Sequence, residues 1–196
     1  MIVITGSIAT GKSSVCAILK EHGYEIVDAD KISHEMLDLH AGYIGEVFGK
    51  KYIKNGKVDR KKLGKLIFNN IDKKRELEDF LHPKIKDEIY KQVEYFKKYR
   101  RRFVVDIPLY YETKSYDAKI VALVYTPKEL QIKRLLLRDN CSKEEALKKI
   151  NTQIDIEKKK KLSDYIIDNS KDINHLKDEV KKFINKIGDG NADLKI

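Results

Sequence analysis

The stretch TGSIATGKSS, residues 5–14, decides the reading of this chain. Within it Gly6-x-x-x-x-Gly11-Lys12-Ser13 fits the phosphate-loop pattern G-x-x-x-x-G-K-[ST]. The spacing has a physical reason. Glycines let the backbone turn so that successive N–H groups point inward at an anion. The N-terminus of the following helix adds its dipole. Lys12 is expected to reach the β- and γ-phosphates, and Ser13 to ligate Mg²⁺. Gly6, Ser7, Ile8, Ala9, Thr10, Gly11, Lys12, Ser13 and Ser14 are therefore candidate contacts for a nucleoside triphosphate. An apolar run precedes the loop, and Val15, Ile18 and Leu19 follow it at helical spacing.

Working outward, β-rich runs occur at Ile2–Ile4, Glu25–Asp28, Phe103–Ile107, Ile120–Tyr125 and Tyr165–Asp168. Most are continuously apolar, as parallel strands covered on both faces are. Helical patterns separate them. The stripe Leu77, Phe80, Leu81, Ile85, Ile89, Val93, Phe96 predicts a long helix that Pro83 kinks or divides. Thr126-Pro127-Lys128-Glu129 and Ser142-Lys143-Glu144-Glu145 read as capping boxes. A last stripe runs from Ile173 to Ile187, and the terminal GDGNADLKI is expected to fray. The alternation predicts an α/β fold with a five-stranded parallel sheet flanked by helices. Residues 1–30, 102–137 and 162–187 form the expected core of a single domain, 1–196. The long helical crossover 31–101 reads as an inserted substrate region, and 138–161 as a second, charged helical excursion.

The 196 residues suffice for one sizeable core. Cys16 and Cys141 make no disulfide framework, and both are expected to be free thiols in a reducing cytoplasm. The start has no basic n-region or cleavage site, so no leader is expected. No apolar run approaches the roughly 20 residues of a membrane span. The net charge of +10, with basic runs KKYRRR at 97–102 and KKKK at 158–161, suits a polyanionic partner or a solvated lysine-rich surface.

The acceptor of the phosphate is a separate question. A GTPase switch needs D-x-x-G and N-K-x-D. Asp106 opens D-I-P-L, and Asn185-Lys186 leads into Ile187-Gly188, so neither is met. A second substrate with its own acceptor group is favoured. Asp28-Ala29-Asp30 ends the second strand, where ligands collect in open parallel sheets. Asp30 either orients an acceptor hydroxyl or caps the next helix. Asp106 ends the third strand, where an acidic residue faces the Mg²⁺ side of a phosphate loop or serves the turn before Pro108.

The motifs TGSIATGKSS, VDADKI (27–32), GKVDRKKLGKLIF (56–68), LHPKI (81–85), VVDIPLYYE (104–112), PKELQIKRLLLRD (127–139), SKEEALKKINTQ (142–153) and SDYIIDNS (163–170) together resemble the dephospho-coenzyme A kinase family. They cover roughly residues 1–187 in that family's order. The resemblance implies ATP-dependent phosphorylation of the 3′-hydroxyl of dephospho-CoA, the last step of coenzyme A synthesis, on a nucleotide-kinase-like fold with 31–101 as the helical acceptor-binding insertion and 138–161 as the lid. It implies that Lys12 and Ser13 bind phosphates and Mg²⁺, and that Asp30 is the base or orienter of the acceptor hydroxyl. Arg60, His82, Pro83, Asp106, Leu109 and Tyr110 would bind dephospho-CoA. Arg138 would neutralise the transferring charge, Gln153 matches a lid position, and Asn169 matches the adenine end of the ATP site. Local readings remain beside these: His82 as a pre-proline helix boundary, Arg134 and Arg138 as a solvated helix face. The remaining histidines have no metal-ligand spacing.

Three departures stand out. Ser7 and Ala9 replace glycines common in the family's loop, which suits φ < 0 or mild strain there. Lys149 replaces a lid arginine, keeping charge and losing the bidentate fork. Tyr110-Tyr111 replaces a more apolar pair. The rival readings are a kinase for another nucleotide or nucleoside and, in a different class, a basic phosphate-loop protein that binds nucleic acid. The first is opposed by the acceptor-side motifs, and the second lacks a nucleic-acid motif. Neither nucleic acid nor membrane is an expected partner.

Overall fold

The computed structural model describes residues 1–113 and 115–190. The chain divides into two compact units: Met1–Val27 with the chain from Phe96 onward, and Asp28–Tyr95.

In the first unit β1 (Ile2–Gly6) leads through the phosphate loop into α1 (Lys12–Glu21) and β2 (Glu25–Asp28). After the insertion come β5 (Phe103–Asp106), α6 (Tyr110–Thr113), β6 (Ile120–Tyr125) and α7 (Lys128–Asp139). Then follow α8 (Lys143–Ile150), α9 (Ile156–Leu162), β7 (Tyr165–Asp168) and α10 (Ile173–Gly190). The sheet runs β2-β5-β1-β6-β7. β1 lies parallel to β5 and β6, and β6 to β7, with Ile4 opposite Asp106, Gly6 opposite Val124 and Tyr125 opposite Asp168. The loop after β1, Asp106 and the turn after β7 thus leave one edge of the sheet.

Ile2, Ile4, Ala122, Val124 and Ile167 pack with Val15, Ile18 and Leu19 of α1 and Leu176, Val180, Phe183 and Ile187 of α10. Val3, Val105 and Leu123, on the opposite face by strand alternation, are equally buried. Burial on both faces explains why the strands read as unbroken apolar runs. α10 continues to Gly190, past the end of its apolar stripe; residues 191–196 of the expected frayed tail lie outside the described residues.

The second unit holds α2 (Ala29–Leu39), α3 (Ala41–Val47), β3 (Ile53–Lys54), β4 (Lys57–Val58), α4 (Arg60–Asn69) and most of α5 (Ile71–Lys98). The expectation of a wholly helical insertion is corrected by the β3–β4 hairpin. Its turn is Asn55-Gly56, both at positive φ (51° and 74°), which is the Asn-Gly pairing that a type I′ turn favours. Asp38 ties α2 to the hairpin by accepting from the Val58 N–H at 3.1 Å. Tyr43 stacks on Phe80, ring centres 3.8 Å apart.

α5 buries Leu77, Leu81, Ile85, Ile89 and Val93 and runs unbroken through Pro83, which neither divides it nor makes His82 a boundary. Pro83 is exposed, and so is Asp79, whose carbonyl loses its helical partner. At an exposed position such a carbonyl can bond to solvent, which lets the helix tolerate the ring. Among the described residues no helix is long and apolar enough to cross a membrane.

Candidate active site

The phosphate loop is built on two glycines. Gly11 has φ 85°, and a Cβ there would lie 2.1 Å from the Asn169 amide nitrogen. A Cβ on Gly6 would lie 2.6 Å from Thr10 Oγ1. Both positions therefore exclude a side chain, one by conformation and contact, the other by contact. Ala9 also adopts positive φ, 62°, so of the two options at that position it takes the mild strain. An L-residue pays about 1–2 kcal/mol for it. The surroundings hold it there: Ile8 and Ala9 pack against the apolar cluster of Leu135, Ala146 and Ile150.

No side chain caps α1, and its first turn carries no acidic residue. Its leading N–H groups and positive dipole end are thus presented without a competing carboxylate on the helix itself. Ser13 and Ser14 are exposed beside them. The Lys12 ammonium donates to both carboxylate oxygens of Asp106, whose side chain is only 8% exposed. Cys16, one turn along α1, is within 3.5 Å of the same carboxylate.

Below the loop is a network of satisfied polar groups. The Thr10 carbonyl accepts from the Asn169 side-chain amide at 2.7 Å and lies 3.1 Å from the Thr126 hydroxyl. Arg134 reaches Thr126 Oγ1 at 3.1 Å and the Asn169 carbonyl at 2.9 Å. Burial pushes the Arg134 pKa down from its usual value. Thr126 therefore does not cap α7: its hydroxyl serves the loop, and Pro127 stands at the cap without a side-chain bond. Ser142, in contrast, forms a complete capping box with Glu145 on α8.

The model of the dephospho-CoA kinase family matches residues 1–175. The chain belongs to that family. A dephospho-CoA kinase of Sulfurimonas denitrificans is 44% identical over 186 residues, covering 95% of this chain and 93% of that one. One from Helicobacter pylori is 42% identical over 186 residues, covering 93% and 95%. The solved dephospho-CoA kinase of Campylobacter jejuni superposes with a TM-score of 0.77 at 39% identity, covering 97% of this chain and 98% of that one.

The family's acceptor-side motifs fall in both units. In the second, Asp28 rather than Asp30 caps α2, accepting from the Lys31 N–H at 2.9 Å. The strand ends at Asp28, so Asp30 lies exposed in the first turn of the helix and does not alternate with Asp28 along a strand. Arg60 pairs with Asp38 at 3.3 Å. His82 and Pro83 are exposed on α5. In the first unit, Leu109 and Tyr110 follow Asp106, and Tyr110, Tyr111 and Tyr116 line a cavity of about 740 Å³ with Gln153, Ile154 and Leu162.

Arg138 is exposed and bonded to its neighbour Asp139 at 2.7 Å. Lys149 holds the other oxygen of Asp139 at 2.6 Å. Arg138 first and Lys149 second hold the Asp139 carboxyl well below the usual range. Arg134, which shares a helix face with Arg138 by spacing, is instead turned in under the loop. Asn169 is likewise buried, with its side chain committed to Thr10.

One residue escaped the sequence reading. Lys159, one of the KKKK run, is fully buried and pairs with Glu112 at 2.8 Å. A signal existed: Ile156 and Lys159 stand three apart, on one face of a short helix. The Gln153 side chain accepts from the Ile8 N–H at 2.8 Å, tying the turn between α8 and α9 to the phosphate loop.

Proposed function

We infer that this chain transfers the γ-phosphoryl group of ATP to the 3′-hydroxyl of dephospho-CoA, giving coenzyme A. The observation that carries the reading is the pairing of Lys12 with Asp106: the loop's cation meets the carboxylate that ends β5, at the edge where an uncapped helix offers its N–H groups. Family membership supplies the acceptor.

The residues fit a triphosphate. The uncapped end of α1 and the left-handed Gly11 suit an anion, and Lys12 would exchange one of its carboxylate contacts for phosphate oxygens. A magnesium ion would take the Ser13 hydroxyl and the Asp106 carboxylate. Among the described residues no group of three or more His, Cys, Asp or Glu could hold a metal, so phosphate oxygens and water would complete its shell. The metal's chemistry is to neutralise charge on the phosphates.

The rest of the work is positioning and electrostatics. Asp30 orients the acceptor hydroxyl and takes its proton late in a loose transfer. Arg138 leaves Asp139 to meet the developing charge, and Lys149 supplies a second, monodentate cation. The aromatic cavity beside Tyr110 suits the organic body of the acceptor, with Lys158 for its phosphates. Arg60, His82, Pro83 and Leu109 complete the proposed acceptor contacts, and the lid would exclude water to suppress hydrolysis. The free cysteines support a reducing cytoplasm as the compartment.

The test is phosphate transfer by the purified protein with Mg²⁺ and ATP, offering dephospho-CoA, AMP and adenosine separately. Coenzyme A formed only from dephospho-CoA, and lost in Asp30→Asn with ATP affinity intact, is the expected result. Transfer to another acceptor instead would overturn the substrate.

A further inference from the structure

Lys159 and Glu112 are costly to bury, and the fold buries them together beside the phosphate loop. The side chain of Lys159 is 0% exposed and that of Glu112 19%. The Lys159 ammonium meets Glu112 Oε1 at 2.8 Å and reaches toward the Gly6 carbonyl at 3.5 Å. The same Oε1 accepts from the Ile154 N–H at 3.0 Å. Its twin, Oε2, is buried without a hydrogen-bond partner. Next to Ile154, Gln153 holds the Ile8 N–H. A ring is thereby closed: phosphate loop at Ile8, lid end at Gln153 and Ile154, α6 at Glu112, α9 at Lys159, and back to the loop at Gly6.

A pair that leaves one carboxylate oxygen unpaired is a poor device for stability. Apolar side chains of similar volume commonly do as well in such places, and the attested use of a buried pair is to specify register. The register here is between the first turn of the phosphate loop and the chain returning from the lid. Phosphoryl transfer depends on holding groups in place, and a displacement of about 1 Å can cost about 100-fold in rate.

We propose that Lys159 and Glu112 are positioning residues for phosphoryl transfer, their buried ion pair setting the spacing between the phosphate loop and the lid end. This rests on the reading of the chain as an ATP-dependent kinase. Neither residue touches the reacting groups; both act through Gly6 and Ile154.

The test compares Lys159→Met, Glu112→Gln and the double variant in the full chain. Five quantities are measured where circular dichroism shows each protein folded: thermal midpoint, ATP affinity with Mg²⁺ by calorimetry, kcat and KM with dephospho-CoA, and amide exchange over residues 5–14. Lys159→Met strands the carboxylate and should lower the midpoint most. The double variant should recover the midpoint, because no buried charge is left unpaired. Its kcat should stay about 10- to 100-fold down, with faster exchange over residues 5–14 and a KM for dephospho-CoA changed less than about twofold. A double variant that regains kcat, ATP affinity and exchange along with its midpoint would overturn the proposal. Should Lys159→Met not fold, Glu112→Gln decides alone, since it keeps the shape and an acceptor oxygen while removing the charge. Slower turnover with faster exchange over residues 5–14 supports the proposal, and unchanged values overturn it. A wild-type protein that binds ATP but transfers nothing to dephospho-CoA removes the acceptor reading, and ATP affinity and exchange still judge the ion pair.

Discussion

Arg134 and Arg138 stand one helical turn apart on α7 and carry the same group, yet the regions around them differ in kind. Arg134 is turned under the phosphate loop, where its donors meet Thr126 and the Asn169 carbonyl. Arg138 lies in solvent with a carboxylate neighbour that Lys149 shares. Below the loop, polar groups are partly or fully desolvated and matched to backbone acceptors, so losing one leaves another unsatisfied. Around Arg138 water can replace either partner, so the ion pairs contribute little to folding and the guanidinium can change partner at little cost. The contrast teaches that a cation near a phosphate loop serves the fold or the chemistry according to what replaces it when it leaves.

The sharpest way to break this contrast is turnover in Arg138→Met. It should fall by about 1,000-fold, as when an arginine that neutralises transferring phosphate is lost. Its thermal stability should change by less than about 0.5 kcal/mol. A loss of stability with turnover intact would reverse the assignment. Arg134→Met should do the opposite in the unfolding experiment, losing about 3 kcal/mol because several acceptors below the loop go unmet. Denaturant titration checks this, and equal losses in the two variants would erase the distinction. Asn169→Ala tests the same lower region more gently. Removing the donor to Thr10 should cost about 1–2 kcal/mol and weaken ATP binding, measured by calorimetry.

The smallest effect concerns Tyr125, at the half-buried end of β6. Its hydrogen bond to Glu157, 2.7 Å long, is the main cause that pushes its pKa up to about 12, with burial second. A raised phenol favours the folded state while protonated. The contribution is full below the unfolded value near 10 and is lost as pH rises through about 12. The melting difference between wild type and Tyr125→Phe should therefore narrow from pH 9 to pH 11. A gap that widens would contradict the assignment of that bond.

Much of this architecture was readable because its signals are local. The phosphate loop is a contiguous string whose glycines and lysine act through adjacent backbone. The strands announced themselves as apolar runs, and Ser142 with Glu145 formed the box that their spacing implies. Thr126 carried the same local signal and was diverted, because the Thr10 carbonyl lies within 3.1 Å of its hydroxyl. Asp30 yielded the cap to Asp28 because the helix begins one residue after the strand ends. The Asn55-Gly56 turn was present in the sequence and went unused, since a pattern of long helices surrounds it.

By itself the amino-acid sequence determined the phosphate loop, the order of the five parallel strands and the family. Each rests on neighbours in the chain or on a pattern that spans it. Only the tertiary structure decided which of several identical side chains does which task. Within KKKK only the spacing from Ile156 sets Lys159 apart, and its partner Glu112 is supplied by the fold. Arg134 and Arg138 likewise diverge because one turn of helix carries the first under the loop and leaves the second in water. A charged group's role is set by the groups and solvent around it, and those are supplied by residues distant in sequence.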